Sequence, residues 1–419
     1  MCKKKLLKNL LLAVFIAGFF ILSAGFLRSD FPKGTMIEGV SVSGMKTSAA
    51  ERLIEEKLQK ELENKRLTVE VDGVKYHFSY PEISLKTDLR RILTKAKKEG
   101  GKHFLKKKWN LVGKENVIRG ICDDFYRKSH SAKIHFHPDS ETPFTYDAEQ
   151  SGRYLSGAAL SEKIDLALEN GTEKVVMKSC REAAPFSIYD AKRATTLLCE
   201  FSTKYNPAVS GRSQNIRLAA KKINGTVLEV GETFSFNKTV GERTRANGFC
   251  EAPIIVDGSF VSGVGGGVCQ ASTTLYNAAL ISGLKIVEYH PHSLPVGYVE
   301  ASFDAMVSGK NCDLRFTNLL GGKVYIKCFT ENGKITVRVY GEKSSITYRR
   351  ESIVTGLIEP PEPREVEGEG ISKDGKSGLT SEGYLVTYKN GVMISKIRLR
   401  KDKYLPTRGI IYKNAQTVA

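Results

Sequence analysis

Several common sequence signatures are missing from this chain. Its 419 residues contain a single Trp and no internal repeat or low-complexity tract, which argues against solenoid and collagen-like proteins. No two of its eight cysteines are spaced CxxC, so zinc-ribbon and thioredoxin-like motifs have no support. The glycine run Gly265–Gly267 is not followed by Gly-Lys-Ser/Thr, and a P-loop is therefore excluded there.

What is present is enough for several folded domains. Hydrophobic residues make up 41% of the chain and charged residues 26%, a composition that argues against a wholly disordered protein. At the usual domain size of about 100–200 residues, the length predicts about two to four domains. The 64 basic residues outnumber the 46 acidic ones and give a net charge of +18.

One long uncharged run lies at the N-terminus. Four lysines among the first eight residues precede an apolar stretch from Leu10 to Leu27, which is long enough to cross a hydrocarbon core of about 30 Å. We therefore expect a retained membrane anchor at residues 1–30, in a single-pass protein whose remaining chain faces the cell wall. A cleaved signal peptide is the alternative, because Ser23-Ala24-Gly25 has the small residues that a signal peptidase accepts.

The export prediction makes the cysteine count informative. Seven cysteines follow the apolar run, and an odd number leaves at least one thiol unpaired in an oxidising compartment. A free and reactive cysteine is thus an early hypothesis.

Positive charge is concentrated between residues 86 and 108. This segment holds ten Lys or Arg against Asp88 and Glu99. In an exported protein the polyanions within reach are anionic lipid or anionic wall polymers, and nucleic acid is not expected as a partner. A solvated helix face without a specific partner is the alternative.

The order of predicted elements indicates an α+β protein. Residues 35–190 show two strand and helix patterns, including a hairpin about Asp72-Gly73 and a capping box over Ser48–Glu51. Residues 195–342 become dense in glycine and include a predicted helix from Arg212 to Asn224. Residues 343–419 are predicted as an acidic, Pro-rich linker and a small β module, whose final hairpin turns at Asn390-Gly391.

Cys269 is the strongest candidate for chemistry. It follows Gly265–Gly267 directly and begins a helical pattern, and the free N–H groups and dipole at a helix N-terminus favour a thiolate. The same N–H groups could hold the oxyanion of an acyl-transfer intermediate. The predicted oxyanion and substrate loop comprises Gly265, Gly266, Gly267, Gln270, Ser272 and Thr273.

A cysteine nucleophile needs a base, and two of the seven histidines, His290 and His292, follow within 23 residues. We prefer His292 as the base and keep His290 as an alternative, with Asp304 as the group that orients the imidazole. Two other interpretations remain open at this point: Cys269 as a small buried hydrophobe, and a metal site formed by Cys269 with both histidines. No fourth metal ligand is evident, so neither a metal nor another cofactor is predicted.

Long ordered stretches resemble the VanW family. They are YNPAVSGRSQNIRLAAKKINGTVLEVGETFSFNKTVGERT, GFCEAPIIVDGSFVSGVGGGVCQASTTLYNAAL, HPHSLPVGYV and FDAMV. The preceding region is similar to the peptidoglycan-binding domain usual upstream of VanW, and the tail resembles the end of a five-glycine wall module. Glu300-Ala301-Ser302 departs from the family, which commonly has a proline and a glycine there.

The resemblance implies a cell-wall protein and a mechanism. Some VanW-domain proteins are L,D-transpeptidases that form 3-3 peptidoglycan cross-links through a cysteine thioester, and the family cysteine, its PHS histidine and its aspartate fall on Cys269, His292 and Asp304. The expected partners are stem peptides and glycan strands. A non-catalytic peptidoglycan-binding accessory protein and a cysteine peptidase acting on stem peptides are the alternatives.

Overall fold

The structure is a computed structural model that describes residues 30–256, 259–309, 311–368 and 370–413. The predicted anchor at residues 1–30 lies outside these ranges except for Asp30, and it stays a prediction. Within the ranges described, no helix is both long and apolar enough to span a bilayer.

Helices are interspersed among many small, mainly antiparallel sheets, which is consistent with the predicted α+β class. The helices are α1 (Thr47–Asn64), α2 (Leu89–Glu99), α3 (Lys114–Phe125), α4 (Gly157–Asn170), α5 (Ile188–Arg193), α6 (Ser210–Ile223), α7 (Phe236–Val240) and α8 (Val268–Ile281). The strands are β1 (Met36–Ile37), β2 (Val40–Ser41), β3 (Leu67–Val71), β4 (Val74–Phe78), β5 (Ile83–Thr87), β6 (Lys102–His103), β7 (Lys107–Leu111), β8 (Lys133–Phe136), β9 (Phe144–Asp147), β10 (Gly152–Tyr154), β11 (Lys174–Met177), β12 (Cys180–Glu182), β13 (Thr196–Lys204), β14 (Thr226–Leu228), β15 (Thr233–Ser235), β16 (Glu251–Val256), β17 (Ser259–Val264), β18 (Lys285–Glu288), β19 (Arg315–Thr317), β20 (Val324–Glu331), β21 (Lys334–Gly341), β22 (Ile346–Ile358), β23 (Arg364–Val366), β24 (Gly378–Lys389), β25 (Val392–Tyr404) and β26 (Ile410–Tyr412).

The described residues fall into two compact units. The first combines residues 30–127 with 153–182, and the second combines residues 128–152 with 183–413. In the first unit β11 pairs in parallel with β3, which pairs antiparallel with β4. One of its cores lies around these strands, α3 and α4, and another around α1 and α2.

The structure confirms one of the two local predictions made for the first unit and contradicts the other. The predicted hairpin is confirmed: β3 and β4 are joined by Asp72 and Gly73, which both have positive φ, at 49° and 86°. The predicted capping box is wrong. Helix α1 begins at Thr47, and its N-cap is Lys46, whose side chain caps nothing. The basic segment is divided between β5, α2, β6 and β7.

The second unit is built around a four-stranded antiparallel sheet with the order β13-β21-β20-β14. The predicted helix over Arg212–Asn224 is confirmed as α6, which buries Ile216, Ala219, Ala220 and Ile223. Both α6 and α8 pack against this sheet in one continuous core.

Helix α8 is buried on nearly all sides, as expected for a central helix. Its polar side chains are therefore tied to the backbone: Thr274 donates to the Gln270 carbonyl, and Asn277 donates to the Phe303 carbonyl. This fixes the helix, and with it the position of its first turn.

A three-stranded sheet, β22-β24-β25, closes the second unit. Leu385 and Leu399 on it pack against the main core. The same sheet also holds the loop at Glu300–Ser302. The Ser352 hydroxyl donates to the Ala301 carbonyl, and the hydroxyls of Ser302 and Ser381 are hydrogen-bonded to each other at 2.7 Å. The segment predicted as a linker contains β23, which pairs in parallel with β26.

Candidate active site

The glycine loop before α8 is tightly enclosed. Gly265 and Gly267 have φ of 92° and 100°, values that favour glycine. A Cβ atom on Gly266 would lie 2.6 Å from the Pro253 carbonyl oxygen, and one on Gly267 would lie 2.9 Å from Cγ of Arg212. A larger residue in this loop would therefore displace the first turn of α8.

Cys269 lies in that first turn and borders a cavity of about 620 Å³, a volume typical of small-ligand sites. Its side chain is half-buried, and Sγ lies 3.4 Å from the Val307 carbonyl oxygen. All seven cysteines in the described ranges are free thiols. Residues lining the cavity with Cys269 and the glycine loop include Arg212, Arg243, Ile254, Val264, Tyr298 and Met306.

His292 joins Cys269 to Asp304. Its Nδ1 donates to Asp304 Oδ2 at 2.6 Å, and its backbone N–H donates to the same oxygen at 2.7 Å. With the Nδ1 proton held in this way, Nε2 is the nitrogen left for the Cys269 thiol, whose interaction with the ring shifts the pKa of both groups. The three side chains make a Cys-His-Asp relay.

The charges in this relay favour an ion pair. Burial opposes ionisation of Cys269, but its hydrogen bond to His292 and the nearby positive charges of His292 and Arg243 outweigh that effect and lower the thiol pKa from its usual 9.0. Burial likewise opposes protonation of His292, but Asp304 and Cys269 raise the pKa of the imidazole to about 9. Each charge therefore favours the other, and the pair is shifted towards a thiolate and an imidazolium.

Asp304 is held in its charged form by residues from β25. Burial raises its pKa, but His292 and Arg400 lower it to about 2, with a contribution from Tyr404. Arg400 donates to the Asp304 backbone carbonyl at 2.7 Å and to Oδ1 at 3.2 Å, while the Tyr404 hydroxyl donates to Oδ1 at 2.6 Å. Asp304 thus has partners for both carboxylate oxygens, although only 1% of its surface is exposed.

The loop and the helix also offer hydrogen-bond donors. The Val268 and Gln270 amides donate to the carbonyls of Gly265 and Gly267. Within the described part of the chain, the N–H groups of Gly266, Gly267 and Cys269 have no such acceptor. Free N–H groups beside a nucleophile are the usual donors of an oxyanion hole.

Other residues predicted for the site lie elsewhere. His290 Nε2 pairs with Glu288 at 3.0 Å, away from the thiol. Ser272 and Thr273 are buried and bond to the Ala305 backbone, so they hold the segment next to Asp304 and do not line the cavity. Gln270 borders the cavity, but its amide is bonded to Thr203 and Arg212.

Sequence analysis missed five residues around the relay: Arg212, Arg243, Tyr298, Arg400 and Tyr404. Tyr298 borders the cavity, and burial together with the negative charge of Cys269 raises the pKa of its phenol. The GYV sequence that follows PHS could have drawn attention to Tyr298. Nothing local marks Arg400 and Tyr404, which lie 96 and 100 residues from Asp304.

Comparison with known proteins locates a family in the same region. Residues 211–340 match the family described as VanW like protein. Over 147 residues the chain is 42% identical to the uncharacterized protein YoaR of Bacillus subtilis, covering 35% of this chain and 48% of that protein. It is 29% identical over 153 residues to the vancomycin B-type resistance protein VanW of Enterococcus faecalis, covering 33% of this chain and 56% of that protein.

The aligned region thus spans about half the length of these curated relatives. No solved structure matches the chain significantly. The relay residues Cys269, His292 and Asp304 all fall inside the matched region, whereas Arg400 and Tyr404 lie beyond it. The chain carries a VanW-like domain at residues 211–340.

Proposed function

We propose that this protein is a cell-wall acyltransferase, a cysteine-dependent L,D-transpeptidase that forms 3-3 peptidoglycan cross-links through a thioester. The observation that carries the proposal is the grouping of Cys269, His292 and Asp304: His292 is hydrogen-bonded to Asp304 and lines the same cavity as Cys269, which lies at a helix N-terminus with a lowered pKa. A thiol used only for packing has no need of such partners.

The first half-reaction forms the thioester. The Cys269 thiolate attacks the carbonyl carbon of the third residue in a tetrapeptide stem, and the resulting oxyanion accepts hydrogen bonds from the N–H groups of Gly266, Gly267 and Cys269. The tetrahedral intermediate collapses when the His292 imidazolium donates its Nε2 proton to the departing amine. D-alanine leaves, and His292 becomes neutral.

The second half-reaction transfers the acyl group. Neutral His292 accepts a proton from the side-chain amine of a second stem's diamino acid, and that amine attacks the thioester carbonyl. The C–S bond breaks, Cys269 returns to the thiolate, and the new amide is the cross-link. Asp304, held by Arg400 and Tyr404, keeps the imidazole in the required orientation throughout.

The other parts of the chain would keep the proposed active site close to the cell wall. We propose that the first unit binds glycan strands, as its resemblance to peptidoglycan-binding domains implies, and that residues 1–30 tether the protein to the membrane. Tethering a binding unit and a catalytic unit in one chain raises the local concentration of substrate. The basic segment at 86–108 would contact anionic lipid or wall polymer.

Incubation of residues 30–419 with tetrapeptide muropeptides, followed by mass spectrometry of the products, tests the proposal. Cross-linked dimers and a thioester on Cys269 are expected from the parent and neither from Cys269→Ala. Cys312→Ala is the matched control, because Cys312 is a half-buried free thiol in the same domain and does not line the cavity.

Other products would point to other functions. Tripeptide without dimer would identify a peptidase that uses water as acceptor. Unchanged muropeptides that nevertheless co-sediment with the protein would identify a binding accessory protein, and the transpeptidase proposal would then be wrong.

A further inference from the structure

Two arginines face the cavity beside the relay. Arg243 and Arg212 both line it with Cys269. They contact different residues of the glycine loop: a Cβ on Gly265 would be 3.0 Å from Cβ of Arg243, and one on Gly267 would be 2.9 Å from Cγ of Arg212. The loop with the free N–H groups thus contacts the stems of two arginines that line the same cavity.

Neither arginine is paired with an acid in the described part of the chain. Arg212 donates one N–H to the Gln270 amide oxygen at 2.7 Å, and Arg243 donates one to the Asn237 amide oxygen at 2.5 Å. No described carboxylate lies within 4.0 Å of either guanidinium. Because a guanidinium has five N–H groups, each retains donors for a ligand.

Of the two arginines, Arg243 has the guanidinium on which burial has the clearer effect. Its guanidinium lies 5.7 Å from the centroid of the Phe236 ring, and burial lowers its pKa, with Cys269 and Asp313 acting against that effect. The Asp313 carboxylate is already engaged, because it accepts from the Ser235 hydroxyl at 2.5 Å and from the Asn237 amide at 2.8 Å. A partly buried cation that forms no ion pair with a carboxylate is costly, and an anionic ligand would offset that cost.

We infer that Arg212 and Arg243 form a carboxylate-binding subsite for the residue that leaves the donor peptide. The inference rests on the proposed function and narrows its substrate class to peptides that end in a free carboxylate one residue beyond the scissile bond. Arginine binds carboxylates through two parallel N–H donors. With its carboxylate held there, the scissile carbonyl is limited to the neighbourhood of Cys269 and the loop N–H groups.

The subsite would also allow the negatively charged end of a peptide to bind close to the Cys269 thiolate. A peptide carboxylate placed in this cavity beside Cys269 would be repelled by the sulfur's negative charge. Two guanidiniums and the imidazolium of His292 counter that repulsion. A peptide that continues past the leaving residue, or whose end is amidated, has no charge for the arginines to bind.

Equilibrium binding tests the inference separately from catalysis. The ligands are a stem tetrapeptide ending in D-alanine and the same peptide with a C-terminal amide, and the protein is residues 30–419 with Cys269→Ala, which cannot form a thioester. We expect the acid to bind about 30-fold more tightly than the amide, in line with a charged hydrogen-bonded pair. In the double variant Arg212→Gln/Arg243→Gln, the acid should bind only about one- to threefold more tightly than the amide.

Because each variant serves as its own reference, a general loss of folding cannot imitate a selective loss of acid binding. Arg217→Gln is the matched control, since Arg217 lies on the exposed side of α6 and outside this cavity, and it should preserve the ratio. Equal binding of acid and amide by the parent, no binding of either, or an unchanged ratio in the double variant would overturn the inference. Selective binding of the acid in this assay, together with failure of the unsubstituted protein to form a thioester with tetrapeptide muropeptides, would instead contradict only the proposed function.

Discussion

Cys269 and Cys328 belong to the same VanW-like domain and have opposite environments. Cys328 lies in β20, is 2% exposed, and burial alone raises its pKa well above the usual 9.0. Cys269 is also subject to burial, yet its pKa is lowered because His292 and Arg243 lie beside it. The comparison shows that burial raises the pKa of a thiol unless, as at Cys269, neighbouring positive charges outweigh it.

The largest difference between the two cysteines is expected when each is replaced by alanine. Cys269→Ala removes the nucleophile, so acyl transfer should fall by at least about 10⁴-fold. Cys328→Ala should leave kcat/KM unchanged and lower the free energy of unfolding by about 1–2 kcal/mol, because it leaves a small void in the core. Muropeptide turnover and denaturant unfolding of both variants check this, and comparable turnover by the two would remove Cys269 from the mechanism.

Removing the imidazolium should make Cys269 more like Cys328. In His292→Gln the hydrogen bond and positive charge beside the sulfur are lost, so acyl transfer should fall by about 10³-fold. The apparent pKa for alkylation of Cys269 by iodoacetamide should rise. His290→Gln is the control, because His290 pairs with Glu288, and it should alter neither value. An unchanged alkylation profile in His292→Gln would show that His292 does not set the charge of the thiol.

The pH profile separates the two partners of the ion pair. The pKa of His292 is raised to about 9, so the imidazolium is present below that pH and is lost above it. In the proposed mechanism this imidazolium protonates the leaving amine, so kcat/KM should fall about tenfold per pH unit above pH 9. The alkylation rate of Cys269 should not fall there, since the thiolate remains. Thioester formation and alkylation measured from pH 5 to 10.5 check this, and a constant kcat/KM up to pH 10.5 would contradict it.

A smaller effect is expected from the second layer around Asp304. Tyr404→Phe removes one hydrogen bond to Oδ1, which should raise the pKa of Asp304, lower that of His292 and reduce kcat/KM about three- to tenfold. The alkaline limb of the pH profile should move to lower pH, which loss of packing alone would not produce. Tyr384→Phe is the control, because that hydroxyl bonds to Glu382 on the same sheet.

Much of the site could be predicted because its signals are local. The glycine loop, the helical pattern after it and the PHS motif place Cys269 and His292 on adjoining segments. Ser272 and Thr273 were misjudged for a geometric reason: they lie three and four residues after Cys269, on the same helix face but one turn deeper. There they contact the Ala305 backbone instead of the cavity.

The remaining parts depend on contacts that no short pattern encodes. Arg212 and Arg243 precede Cys269 by 57 and 26 residues and reach the cavity only because α6 and the loop after α7 flank the glycine loop. The sheet β22-β24-β25 was predicted as a separate β module, and only the hairpin at Asn390-Gly391 carried a local signal. The contacts of this sheet with Asp304, through Arg400 and Tyr404, depend on strand register and burial.

The contact of β25 with Asp304 has a consequence for how the protein is divided. A polypeptide that stops at residue 340, where the VanW match ends, keeps the sulfur, the imidazole and the aspartate but loses both anchors of that aspartate. We expect such a fragment to be inert even if it is soluble. The region that matches the family and the part of the chain that the proposed mechanism requires therefore have different boundaries.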